Sequence, residues 1–243
     1  MTRIDDPAFV RTQYESEERL AARKSAYADT EGPDTRELAF EAVAEARPDR
    51  VLEVGGGAGE LAERIVRELG AELVGIDQSE RMVEIQRSKG LDAHVGDVQR
   101  LPVGDGEFDV AVAAWMLYHV PDLDQALSEL ARALRPGGRL VAVTNGVDHL
   151  KELWELAGRD TSVRRFQFRS ENGETVLRRH FARVAQRDAN GWVTMDDDVL
   201  RRYVESWDGL APALERLPLR RPLRIRRAST VFVAETAGPR LGP

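Results

Sequence analysis

The chain has 243 residues, of which 42% are hydrophobic and none is cysteine, and its formal net charge is −7. The length suits one α/β domain with insertions or a small lid, and the missing cysteines exclude disulfides, thiolate catalysis and Cys-ligated zinc. The acidic balance argues against nucleic acid, no apolar run reaches the roughly 18 residues of a membrane span, and Met1 to Asp6 shows no apolar leader, so a reducing, cytoplasmic setting is expected.

Taken in chain order, residues 1–34 read as a helical arm or lid, clearest from Arg19 to Tyr27 and closed by Gly32-Pro33. Residues 35–146 alternate apolar runs with amphipathic helices, the pattern of a parallel sheet covered on both faces. Arg50 to Val54 is the first strand, and a helix follows with Leu61, Ile65 and Leu69 on one stripe, stopped by Gly70. Glu72 to Ile76 is the second strand, ending on Asp77, and Ser79 caps a helix to about Ser88. Asp92 to Val95 is a short third strand; Phe108 to Ala114, apolar throughout, reads as a fourth buried on both faces. Asp122 caps a helix whose stripe runs Leu123, Ala126, Leu127, Leu130 and Leu134, broken by Arg135-Pro136-Gly137-Gly138 before a fifth strand at Arg139 to Thr144.

Residues 147–181 read as a helical insertion on the substrate side, with helices near His149 to Ala157 and Glu174 to Phe181. Residues 182–243 supply strands at Ala182 to Arg187 and Thr230 to Glu235 around a helix from Asp197 to Trp207, with a tight turn at Asn190-Gly191. The expected fold is α/β: a Rossmann-like, seven-stranded, mostly parallel sheet with helices on both faces, an antiparallel last strand and helical lid elements. The basic cluster Arg216, Arg220, Arg221, Arg224, Arg226 and Arg227 reads either as a charged strand edge that discourages aggregation or as a contact for an acidic substrate.

The chemistry concentrates where the first strand meets its helix, Glu53-Val54-Gly55-Gly56-Gly57-Ala58-Gly59. Glycines there let the chain turn sharply and a ligand approach the backbone. A dinucleotide fingerprint needs a further glycine three positions after Gly57, and Glu60 stands there instead. Glu53 at the strand end disfavours a pyrophosphate and suits a ligand with an ammonium and a sulfonium. Asp77, about 20 residues on, is placed to accept from both ribose hydroxyls. Asp97, followed by Val98, is placed to read the edge of an adenine.

These segments, with Gly75-Ile76-Asp77-Gln78-Ser79, Gly96-Asp97, Phe108-Asp109-Val110, Leu117-Tyr118-His119-Val120-Pro121-Asp122 and Leu134-Arg135-Pro136-Gly137-Gly138, resemble the class I S-adenosylmethionine (SAM)-dependent methyltransferases, type 11 small-molecule branch. The resemblance implies SAM as cofactor and S-adenosylhomocysteine (SAH) as product. It implies that Glu53, Gly55 and Gly57 hold the methionine portion, Asp77 the ribose, Gln78 the adjoining adenosine edge, and Asp97 with Val98 the adenine. Ala114 would offer its carbonyl to the methionine ammonium. Gly56 departs from a family position that often carries Cys or a small polar residue.

The expected activity is methyl transfer to O, N or C of a small molecule; the alternatives are a SAM- or SAH-binding protein without turnover and a nicotinamide-dependent oxidoreductase. The catalytic base is not fixed by the sequence: His119 is a candidate, and in the resembled family that position often orients the loop after the fourth strand. Ala114-Trp115-Met116-Leu117 stands where a nucleobase amine methyltransferase would carry an Asn/Asp-Pro-Pro-aromatic motif. The scattered His94, His119, His149 and His180 suggest no metal site. Trp115, Met116, Trp154, Phe166, Phe168 and Phe181 are candidates for an apolar wall around an aromatic or hydrophobic acceptor, and Tyr14, Arg23 and Tyr27 for a lid.

Overall fold

The computed structural model describes residues 23, 26–27, 30–159, 166–217 and 221–238. The described elements run from a two-residue strand, β1 (Thr30–Glu31), to α1 (Thr35–Ala44), β2 (Arg50–Val54), α2 (Glu60–Leu69), β3 (Glu72–Asp77), α3 (Glu80–Ser88) and β4 (Asp92–Val95). The chain continues through β5 (Phe108–Ala114), α4 (Leu123–Ala133), β6 (Leu134–Asn145), α5 (Lys151–Leu156) and α6 (Gly173–Leu177). It ends in β7 (Arg183–Asp188), β8 (Gly191–Met195), α7 (Asp197–Glu205), β9 (Leu223–Arg227) and β10 (Ser229–Glu235).

Seven strands form one sheet in the order β4-β3-β2-β5-β6-β10-β7. β10 pairs antiparallel with both β6 and β7, while β2 to β6 pair in parallel. Alternation along each strand builds a core on either face. Val51, Val110, Val112, Val141 and Val143 pack with Ala39, Phe40 and Val43 of α1 and Ala62 and Ile65 of α2. On the other face Leu52, Ala111, Ala113, Leu140 and Phe232 pack with Leu123, Leu127 and Leu130 of α4. The helix starts expected at Ser79 and Asp122 are real caps: each side chain accepts from a backbone N–H, that of Met82 and that of Gln125.

Two features depart from the sequence reading. Arg135-Pro136-Gly137-Gly138 belongs to the head of β6 and does not precede it: it bulges between the Phe108–Leu134 and Val110–Arg139 pairs, with Gly137 at φ of 79°, and is tied down where Gly137 donates to Ala237 O at 3.0 Å and Thr236 donates to Gly138 O at 2.9 Å. The second departure is a small sheet, β1-β8-β9, formed in part from the Asn190-Gly191 region expected as a turn. Its inner face joins Leu153 of α5 with Val193, Met195, Leu200, Tyr203, Val204 and Ile225 in a third core. Three of the basic cluster, Arg224, Arg226 and Arg227, lie on its edge strand: Arg224 bonds Glu31 at 2.8 Å, Arg226 lies near Asp148 at 3.4 Å, and both stack on Trp192. Among the described residues no helix is long and apolar enough to cross a membrane.

Candidate cofactor cleft and acceptor chamber

The carboxyl ends of β2, β3, β4 and β5 open into a cleft of about 420 Å³, lined by Val54 to Ala58, Ile76 to Ser79, Met82, Gly96 to Gln99, Ala114 to Met116 and His119 to Pro121. Ligands of open α/β sheets bind at such strand ends. Gly55 and Gly57 have φ of 64° and 57°, the left-handed region that side chains resist. Gly55 N–H donates to Ile76 O at 2.8 Å, which binds the loop to the neighbouring strand tip.

Asp77 is the best-defined polar group in the cleft. Its Oδ1 accepts from Ser79 N–H at 2.9 Å and its Oδ2 from Gly57 N–H at 3.2 Å. Burial pushes its carboxyl above the ordinary aspartate value, and the N–H groups of Ser79, Gly57 and Gln78 pull it back down. Gln86, on α3, donates to Gly57 O at 2.8 Å and braces the loop from behind. Asp97 lies exposed at the rim, its Oδ1 accepting from Gln99 N–H at 2.9 Å, and Gln78 is an exposed rim residue beside it. Ile76, Met82 and Val98 provide buried apolar surface between the two acids.

Glu53 is placed differently from the rest. It is 2% exposed and lies beneath the glycine loop, so that a Cβ at Gly56 would fall against its Oε2. The departure at Gly56 thus has a local cause: the space a side chain would fill holds a carboxylate. His119, in a 3-10 turn after β5, is buried at the cleft with the Tyr118 ring 4.5 Å away.

Trp115 leaves β5 with φ of 56°, strained for a residue with a side chain. Its backbone N–H donates to Val143 O at 2.9 Å and its indole Nε1–H to Asn145 Oδ1 at 3.2 Å. The ring forms a wall common to the cleft and to a second chamber of about 270 Å³. Tyr27, Tyr118, Trp154, Phe166, Tyr203 and Trp207 line that chamber with Asn145, His149 and Arg227. Tyr27 OH lies 3.1 Å from His149 Nε2, and His149 Nδ1 lies 3.1 Å from Ala228 O. Burial, reinforced by Tyr203, pushes the Tyr27 phenol well up.

Among the sequence candidates for an acceptor wall, Trp115, Trp154 and Phe166 line the chamber and Met116 lines the cofactor cleft. Phe168 and Phe181 do not: both are core residues, and Phe168 packs on Phe232 with ring centroids 5.8 Å apart. Arg23 and Tyr27 line the chamber, and Tyr14 lies outside the described residues. Asn145, Tyr118, His149, Tyr203 and Trp207 were not anticipated as lining residues, and Arg227 was anticipated only within the basic cluster, one reading of which was a contact for an acidic substrate. A polar residue ending an apolar strand was the available sign for Asn145. Among the described residues no group of three or more His, Asp or Glu could hold a metal.

The residues of the cleft fit an adenosyl ligand. Carboxylates stand at two strand tips with apolar surface between them, and the backbone closes around open glycines. Comparison with known proteins agrees. Residues 52–142 match a family model described as a methyltransferase domain. The chain is 40% identical over 99 residues to methyltransferase GfsG of Streptomyces halstedii, covering 37% of this chain and 36% of that protein. It is 38% identical over 115 residues to a demethylmenaquinone methyltransferase of Thermus thermophilus, covering 44% and 52%. The chain thus spans about half or less of the length of these relatives. A SAM-dependent methyltransferase structure from Thermotoga maritima superposes with a TM-score of 0.58 at 22% identity, over 94% of this chain and 98% of that one, and shows the shared fold. With its glycine loop, its acids at successive strand tips and its sheet order, the stretch 52–142 carries the features of the methyltransferase domain that it matches.

Proposed function

We propose that the protein is a SAM-dependent methyltransferase acting on a small molecule, in the reducing cytoplasm that a chain without cysteine suits. The observation that carries this reading is the shared wall at Trp115: a cleft suited to adenosine adjoins a separate aromatic chamber, so two ligands can meet end to end. In this reading Asp77 accepts from the ribose hydroxyls, Asp97 and Val98 meet the adenine, and Gln78 borders the adenosine at the rim. Gly55 and Gly57 hold the methionine portion, and the Ala114 carbonyl accepts from its ammonium. Glu53, beneath the loop, supports that end by its negative field. His119 shapes the turn over the cleft. The segments outside 35–146 select the acceptor, since they supply most of the second chamber.

SAM supplies an electrophilic methyl group on sulfur. The protein's part is to align an acceptor with that methyl in a site shielded from water, and alignment alone can lower such a barrier by several kcal/mol. Calorimetric titration with SAH and with NAD(P), followed by a search for methylated product across phenols, quinones, carboxylates and amines, tests the proposal. SAH binding with product formation is expected. NAD(P) binding without SAH binding ends the reading, and SAH binding with no product from any acceptor class leaves a binding protein.

A further inference from the structure

The acceptor chamber carries information about its occupant, and this inference rests on the methyltransferase reading above. Asn145 ends β6 and is clasped from both sides. Trp115 Nε1–H donates to its Oδ1 at 3.2 Å, and Ser229 Oγ, set opposite by the antiparallel register, donates to the same oxygen at 2.8 Å. An indole N–H can only donate, so the amide cannot be turned around. Its Nδ2 hydrogens are therefore the side left to the chamber, and no group among the described residues takes them.

Arg227 sets the sign of the field. It is 5% exposed and lines the same chamber. Its bonds go to neutral oxygens: Thr35 Oγ1 at 3.3 Å, Glu31 O at 3.3 Å and Pro33 O at 2.6 Å. Its Nε is buried with no hydrogen-bond partner, and no carboxylate among the described residues pairs with it. A buried cation without an anion favours a ligand that brings one. Buried Arg23, stacked on Trp207 with its guanidinium 4.3 Å from the ring centroid, stands on the same wall. Aromatic faces attract ammonium groups, but here the guanidinium charges oppose one, and the acid lining the chamber, Asp34, is exposed and caps α1 through Arg36 N–H at 2.8 Å.

We propose that the chamber receives the methyl acceptor as an oxygen acid on a flat apolar body (a carboxylate, phenol or enol), with its oxygen held by the Asn145 amide in the field of Arg227. The acceptor oxygen's lone pair forms the new O–C bond as the C–S bond breaks, and the bonding pair returns to sulfur to leave SAH. A carboxylate has no proton to lose. A phenol or enol gives its proton to Tyr27, which passes its own to His149 Nε2; this step uses the tautomer whose Nδ1–H donates to Ala228 O at 3.1 Å, in place of the one whose Nδ1 accepts from Ala228 N–H at 3.2 Å.

The test is calorimetry with three probes on one naphthalene body: 2-naphthoate, 2-naphthol and 2-naphthylmethylammonium. They are titrated into the full chain with and without SAH. SAH affinity is measured first; its absence ends the methyltransferase reading, while the probe order on the unloaded protein still decides the chamber's preference. Both oxygen probes should bind at least tenfold more tightly than the ammonium. Arg227→Gln should weaken naphthoate at least tenfold without weakening the ammonium, and Asn145→Asp should reverse the order in favour of the ammonium. An ammonium that binds as tightly as either oxygen probe, failure of both oxygen probes to bind, or an unchanged order in Asn145→Asp overturns the proposal. Should a variant lose SAH binding or helical signal, the wild-type order decides alone.

Discussion

Asp77 combines two roles that oppose each other: it is buried enough to resist ionisation, and its proposed partner is held best when it is ionised. Two ribose hydroxyls donate more strongly to the charged carboxylate than to the protonated acid, so SAH affinity should be full above Asp77's raised pKa and fall as the pH drops through it. The decline should therefore begin at a higher pH than an ordinary aspartate would set. Asp77→Ala should weaken SAH at least tenfold, about 1.4 kcal/mol for a lost charge-assisted bond, and remove that acidic decline. Calorimetric titration across pH measures both; an equal decline in the variant assigns the effect to another group. Gly56 is the second residue whose role is local. A methyl there meets the Glu53 carboxylate, a side-chain end that can move. Gly56→Ala should thus keep the fold but displace Glu53 and weaken SAH several-fold, with unchanged circular dichroism. Wild-type affinity in Gly56→Ala would mean that Glu53's position is irrelevant to the ligand.

At the scale of elements, the small sheet matters because its strand β9 carries Arg227, the buried cation of the acceptor chamber, while the cofactor strands belong to the large sheet. Its tightest point is Gly191, where a Cβ would strike the Glu31 carbonyl, a backbone atom that cannot swing aside. Gly191→Ala should push β1 away from β8 and cost ~1–3 kcal/mol, the usual range for overpacking. Chemical denaturation should show that loss, with naphthol binding weakened and SAH affinity retained, since Asp77 and the glycine loop belong to the other sheet. Equal loss of both ligands would show the two sheets to be one cooperative binding unit. Legibility followed the same division. The strands 50–54, 72–77 and 108–114 were readable because each holds a local apolar run bounded by its own turn, and the short strand 92–95 (Asp-Ala-His-Val) because Gly90 and Gly96 bracket it. β8 and β9 were not: Leu223 and Ile225 do alternate with Arg224 and Arg226, but over only five residues, and the pairing of β8 with β9 joins segments about 30 residues apart.

For the whole molecule, ligand binding and folding are linked. At a hundredfold excess over its dissociation constant, a ligand that binds only the folded chain stabilises it by about 2.7 kcal/mol. For a domain of this size each kcal/mol raises Tm by about 2–4 °C, so SAH should raise the melting temperature by roughly 5–10 °C. NAD(P) at the same concentration should leave it unchanged. A thermal melt with each ligand checks this, and the reverse ordering would point to a nicotinamide site. The shift should appear in a single transition, because the two faces of the large sheet are filled by continuous cores that share every central strand.

The sequence by itself determined the cofactor half of the protein. A glycine turn, an acid at the next strand end and another acid at the one after lie in the order of the chain, each beside the strand that positions it. Parallel strands in register then bring those ends together without further instruction. The acceptor half was decided only by tertiary structure. Trp115, Asn145, His149, Arg227 and Tyr27 come from four separate stretches, and their partners are up to 196 residues away in the chain, as with Arg227 and Glu31. Periodicity reports which face of an element is buried; it carries no information on which distant side chain meets it there.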